Sequence, residues 1–274
     1  MRRRTYRCVL SIAGSDSVGG AGIQADMKTC SALGVYGMTA VTAVTAQNTM
    51  GVRGVWPVDP EGVRVQIEAV MDDIRPDAVK IGMIPDAGCA EAIADCLERY
   101  APANVVLDPV MVATSGDALS TGSVLETMRR RLFALSDLIT PNLPEASAIL
   151  GREADEADEA AVLELLAATG AGGVLLKGGH AAGEAGVSDR YALRNMDGSV
   201  ELRHPFVDSR NTHGTGCSLS SAIACFLALG LDMADAIRAG VEAVGSGIAA
   251  GRDYDAGHGH GSINHFAMEK FRTI

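Results

Sequence analysis

The stretch Asn211-Thr212-His213-Gly214-Thr215-Gly216-Cys217 runs straight into an apolar segment, Leu219 to Leu229. Glycines on either side of Thr215 let several backbone N–H groups point at one place where a helix begins, and such a place attracts an anion. Gly214, Thr215, Gly216 and Cys217 are therefore a candidate phosphate cradle. Cys217 falls in the first turn, where the helix dipole and free N–H groups favour a thiolate and lower its pKa, so a base would stand beside the cradle. The same residues fit a glycine loop capping a core helix, with Cys217 as a small buried apolar side chain. The loop alone does not choose between these.

Other polar groups carry similar pairs of readings. Asn142 and Glu145, spaced i, i+3 at a helix start, can hold Mg²⁺ through water or simply cap the helix. Lys177, between a strand and two glycines, can put positive charge on a transferring phosphoryl group or end a strand at the surface. Asp26 and Gln47 offer a carboxylate and an amide, which together suit an aminopyrimidine edge; Asp26 also reads as a solvated helix acid. His258, His260 and His265 suggest a metal site, but no Cys or acidic cluster accompanies them, and glycine-rich tails are commonly mobile.

The elements that must position these groups alternate. Strands are expected at Arg7 to Ala13, Val35 to Thr45, Ala78 to Met83, Asn104 to Leu107, Leu138 to Thr140 and Gly173 to Leu176. Helices are expected near Ile23 to Leu33, Asp59 to Asp73, Asp86 to Tyr100, Thr121 to Arg131, from Pro144, around Val162 to Leu166, from Gly216 to Leu229 and from Met233 to Ala250. A loop at Thr114 to Asp117 follows the fourth strand, an acidic run from Gly151 to Asp158 leads into the Val162 helix, and Arg190 to Val207 reads as antiparallel strands turning at Asp197-Gly198. This alternation predicts a mostly parallel sheet covered by helices on both faces. Asp16, Gln47, Asp108, Asn142 with Glu145, Lys177 and the Gly214 to Cys217 loop all fall at strand ends, which is where ligands bind in such sheets.

With 274 residues, 47% of them hydrophobic and 21% charged, the chain can bury a large core as one domain, 1–274, with loose ends at 1–6 and 256–274. A net charge of −11 opposes nucleic-acid binding. No stretch reaches the roughly 20 apolar residues of a membrane span, so a soluble, cytoplasmic protein without membrane or nucleic-acid partners is expected. The six cysteines show no metal-type spacing, and disulfides are not expected.

Seven collinear blocks closely resemble the hydroxymethylpyrimidine/phosphomethylpyrimidine kinases of thiamine biosynthesis, within the ribokinase-like superfamily. They are Ala13 to Asp26, Ala46 to Thr49, Lys80 to Met83, Leu107 to Met111, Thr140 to Ala146, Lys177 to His180 and Asn211 to Cys217. The resemblance implies a ribokinase-like three-layer sandwich, ATP and Mg²⁺, a homodimer, and successive phosphorylation of 4-amino-5-hydroxymethyl-2-methylpyrimidine to the mono- and diphosphate. It assigns Gly14, Asp26, Gln47, Met83 and Val110 to the pyrimidine. Asp108, Asn142, Glu145, Lys177 and Thr212 go to the nucleotide, with Glu145 and Asp108 nearest the metal. Gly214 to Cys217 becomes the anion hole with Cys217 as base, beside Lys177. Two departures stand out: Ser17-Val18 where the family often has Pro-Ser, and the glycine- and histidine-containing tail.

Overall fold

The computed structural model describes residues 5–111, 122–154, 159–178 and 186–272. The loop expected at Thr114 to Asp117, the start of the helix at Thr121, the end of the acidic run at 155–158, and Gly179-His180 lie outside them.

Nine strands form one sheet: β1 (Cys8–Asp16), β2 (Tyr36–Asn48), β3 (Gly51–Pro57), β4 (Ala78–Ile81), β5 (Val105–Leu107), β6 (Leu138–Ile139), β7 (Gly173–Leu176), β8 (Val187–Leu193) and β9 (Val200–His204). Their order is β3-β2-β1-β4-β5-β6-β7-β8-β9. The six from β2 to β7 in that order are parallel, and β3, β8 and β9 extend the two ends antiparallel. Between β1 and β4 the chain reverses its direction of growth across the sheet, which opens a crevice at their carboxyl ends.

The parallel strands are continuous apolar runs because both faces are covered. Leu10 and Ile12 enter a core shared with the helices α2 (Pro60–Asp73), α3 (Ala87–Tyr100), α4 (Gly122–Thr127), α5 (Leu143–Leu150) and α6 (Glu159–Thr169). Val9, pointing the other way, joins α1 (Gly22–Leu33), α7 (Thr215–Ala228) and α8 (Met233–Gly251). Three layers result, as expected.

Two differences from the sequence reading concern the edges. β2 runs on to Asn48 and turns back through β3, an edge strand whose Trp56 is exposed. The tail, expected to be loose, is docked: His260 N donates to Thr49 O, His213 N donates to Gly261 O, and Asn211 Nδ2 reaches the carbonyls of Gly251 and Tyr254. A Cβ on Gly259 would stand 1.9 Å from Thr49 O, so only glycine admits this approach.

Candidate active site

One cleft of about 770 Å³ lies over the carboxyl ends of the parallel strands. Ala13 to Asp16 reach it from β1, Gln47 from β2, Met83 from beyond β4, and Asp108, Val110 and Met111 from beyond β5. Asn142 and Glu145 at the start of α5, Lys177 after β7, and Thr212 to Cys217 at the start of α7 complete its polar wall.

The anion loop is built by close backbone contact. Gly214 has φ +80°, and a Cβ there would fall 1.8 Å from Gly20 O, so the loop and the glycine turn before α1 touch main chain to main chain. Thr212 O takes both the N–H and the hydroxyl of Thr215. Ser218 N closes the first helical turn on Gly214 O. The N–H groups of Gly214, Gly216 and Cys217 then have no hydrogen-bond acceptor among the described residues, as the first turn of a helix requires of an anion site.

Asp16 holds this loop through His213. His213 Nε2 stands 2.9 Å from Asp16 Oδ2, which also accepts the N–H groups of Gly20 and Ala21. Burial opposes the Asp16 charge, but His213, Ala21 and Val18 outweigh it and keep the carboxyl below its usual range. Gln47 is placed by Ser17, whose hydroxyl bonds both its N–H and its carbonyl at 2.9 Å. Opposite, a β-bulge at Gly14 lets Met83 in so closely that a Cβ would meet its sulfur at 2.7 Å. Gly14, Gln47, Met83 and Val110 all line the cleft.

On the same lining Lys177 Nζ bonds Asp108 Oδ1 at 2.7 Å and lies 3.9 Å from Glu145 Oε2. Burial disfavours its charge, but those two carboxylates outweigh it and hold the ammonium above its ordinary range. Asn142 and Glu145 form a complete capping box, so the capping reading of this pair is realised at the same time as they face the cleft. Burial pushes the Glu145 carboxyl up to about 7, with Lys177 only partly opposing it.

Two expectations are corrected. Asp26 is neither a solvated acid nor part of the cleft wall. It is fully buried beneath the cleft, its oxygens 2.9 Å from Lys80 Nζ and bonded to Ser11 and Ser221. Nor is the Cys217 thiol acidic: burial pushes it up to about 11, ahead of the opposing pull of Lys80, with Asp26 and Asp108 adding to the rise. The helix terminus does not compensate for lost hydration.

Sequence reasoning gave no role to His213, Asp189 or His204. Asp189 accepts Gly178 N at 2.8 Å and pairs with His204 at 3.1 Å, all at the cleft margin, and that bond raises the His204 pKa against burial. An acid on the face of β8 that otherwise carries Val187, Tyr191 and Leu193 was the available signal. Of the tail histidines, His265 is buried against Ser218, burial lowers its pKa to about 4, and His260 bonds Arg210 O. No group of three metal-binding side chains occurs among the described residues.

A parallel sheet with its cleft at the strand ends, an open anion loop on a helix and a lysine facing it define a ribokinase-like small-molecule kinase. Known proteins agree. Residues 16–264 match the family model described as phosphomethylpyrimidine kinase. The hydroxymethylpyrimidine/phosphomethylpyrimidine kinase of Escherichia coli K12 is 44% identical, over 94% of this chain and 96% of that one. The phosphomethylpyrimidine kinase of Clostridium difficile 630 superposes with a TM-score of 0.76 at 40% identity, covering 87% of this chain and 97% of that one. The ADP complex of Bacillus subtilis pyridoxal kinase gives 0.87 at 32%, covering 96% and 99%. This chain belongs to the phosphomethylpyrimidine kinase family.

Proposed function

We propose that the protein uses ATP to phosphorylate 4-amino-5-hydroxymethyl-2-methylpyrimidine and then its monophosphate, giving the diphosphate for thiamine biosynthesis. What supports this reading is that Lys177, 3.4 Å from a Cβ built on Gly216, shares one cleft with the Gly214 to Cys217 loop, Gln47 and Met83. Phosphoryl transfer needs mainly alignment and charge stabilisation, which these groups supply. The Gln47 amide would read the amine and ring nitrogens while Gly14, Met83 and Val110 enclose the ring. Cys217 stands where the substrate hydroxyl would lie and, being neutral at rest, would orient that hydroxyl, taking its proton only as the bond to phosphorus forms.

The donor set suits Mg²⁺. Glu145 is a buried carboxylate whose charge is incompletely balanced by Lys177, and Asp108 lies beside it. These two would hold the ion through water, where it would screen phosphate charge. Asn142 and Thr212 would line the nucleotide side.

Product analysis with ATP and the hydroxymethylpyrimidine tests substrate and reaction together: mono- and diphosphate are expected in succession, and absence of ADP would remove the kinase reading in favour of a pyrimidine-binding sensor. The similarity to pyridoxal kinase supports a second reading, phosphorylation of pyridoxal. A higher kcat/KM for pyridoxal would establish it. A cytoplasmic homodimer using the exposed Tyr36, Val44 and Trp56 of β2 and β3 fits this function, and light scattering checks it. No helix among the described residues is long and apolar enough to cross a membrane.

A further inference from the structure

A charged pair lies beneath the cleft, unused by the chemistry above. Lys80 sits in β4 between Val79 and Ile81, which enter the α2–α6 core, so strand alternation turns Lys80 toward α1 and α7. It has no exposed surface, and its Nζ lies 2.9 Å from both oxygens of Asp26 on α1. Asp26 also accepts Ser11 Oγ of β1 at 2.5 Å and Ser221 Oγ of α7 at 2.7 Å. The cluster thus joins four elements: the strand that bulges at Gly14, the helix after the glycine turn, the strand leading to Met83, and the helix of the anion loop.

Cys217 stands one helical turn before Ser221, so their side chains share a face of α7. The ammonium also lies directly under the cleft floor. A Cβ on Gly82 would be 2.7 Å from Nζ and 3.1 Å from the Ala13 methyl, and Ala13 lines the cleft.

We propose that the Lys80–Asp26 pair is the positioning element for Cys217: it fixes α7 under the anion loop through Ser221 and presents its positive end to the thiol. The proposal rests on the reading of Cys217 as the group beside the substrate hydroxyl. The charged groups facing the thiol are Lys80 from β4, Asp26 from α1, Asp108 beyond β5 and Lys177 beyond β7. Lys80 acts on it more strongly than either carboxylate, so the pair as a whole favours negative charge at the sulfur or at a hydroxyl it holds.

The test removes both charges at once. Lys80→Met/Asp26→Asn leaves no stranded ion and keeps an acceptor for Ser11 and Ser221. In the folded double variant, iodoacetamide alkylation of Cys217, followed by peptide mass spectrometry from pH 8 to 10, is expected to slow several-fold, since only thiolate reacts and the variant loses more pull toward thiolate than push against it. The kcat should fall by at least as much with the pyrimidine KM near wild type. An unchanged alkylation profile overturns the proposal whatever turnover does. Slower alkylation with full kcat upholds the effect of Lys80 on the thiol and overturns instead the role given to Cys217. Should the double variant not fold, Ser221→Ala, with both charges in place, decides: a several-fold loss of kcat supports the proposal and wild-type turnover overturns it.

Discussion

Lys177 and Asp108 are bonded at 2.7 Å directly beside Gly216, where an added Cβ would lie 3.4 Å from the ammonium and 3.5 Å from the carboxylate. The cation is thus held at the anion loop before any phosphate arrives. Lys177→Met should lower kcat by about 10²–10³, the usual loss for one preorganised charge-stabilising group, with the pyrimidine KM nearly unchanged. Steady-state kinetics at saturating ATP would check both parameters.

Gly214 and Gly216 should respond differently to alanine. At Gly214 the positive φ and the Gly20 carbonyl leave no room, so Gly214→Ala should cost about 1–2 kcal/mol or more and abolish turnover. At Gly216 the new methyl makes ordinary contacts, so Gly216→Ala should keep its Tm while obstructing phosphate. Calorimetry beside activity separates the two.

Glu145→Gln should stabilise and inactivate. A carboxyl whose folded pKa is raised is charged at a cost to the native state, a cost absent below the unfolded value near 4.5 and complete above about 7. The variant keeps an oxygen for the Asn142 N–H. Its Tm should match wild type at pH 4.5 and exceed it at pH 8, with activity lost at both.

Asp16 behaves in the opposite sense. Its folded pKa lies below the unfolded value of about 3.8, so its contribution is full above that value and fades as pH falls through the lowered one. Asp16→Asn should cost about 2 kcal/mol at pH 7 by weakening the bonds from His213, Gly20 and Ala21. Urea melts should show the gap from wild type closing toward pH 3.

Gln47→Ala should chiefly raise the pyrimidine KM, because the amide orients the ring rather than the phosphoryl group. Cys217→Ala should keep pyrimidine affinity and lose most of its turnover. Titration calorimetry with the pyrimidine, set beside kcat, reads both.

The parallel strands were legible because burial on both faces makes each a short apolar run, as in Val105 to Leu107 and Gly173 to Leu176. β3 was missed because an edge strand with Arg53 and Trp56 facing outward has no such run, and Gln47 to Thr49 resembled a strand's end. Cleft residues that follow strands, such as Asp108 and Lys177, were placed by that position alone. Asp26 was not, because its setting depends on Lys80, 54 residues away, and on Ser221, 195 residues away. Cys217 was given an acidic thiol because a helix terminus is visible in sequence, whereas the burial that outweighs it is not.

The docked tail has a consequence for synthesis. His213 N–H, one residue before the anion loop, finds its acceptor at Gly261, and Asn211 finds its own at Gly251 and Tyr254. A nascent chain still lacking residues beyond 250 has all nine strands but cannot make these bonds. During translation the strands of the sheet would therefore all be present before the bonds that steady the approach to the anion loop can form.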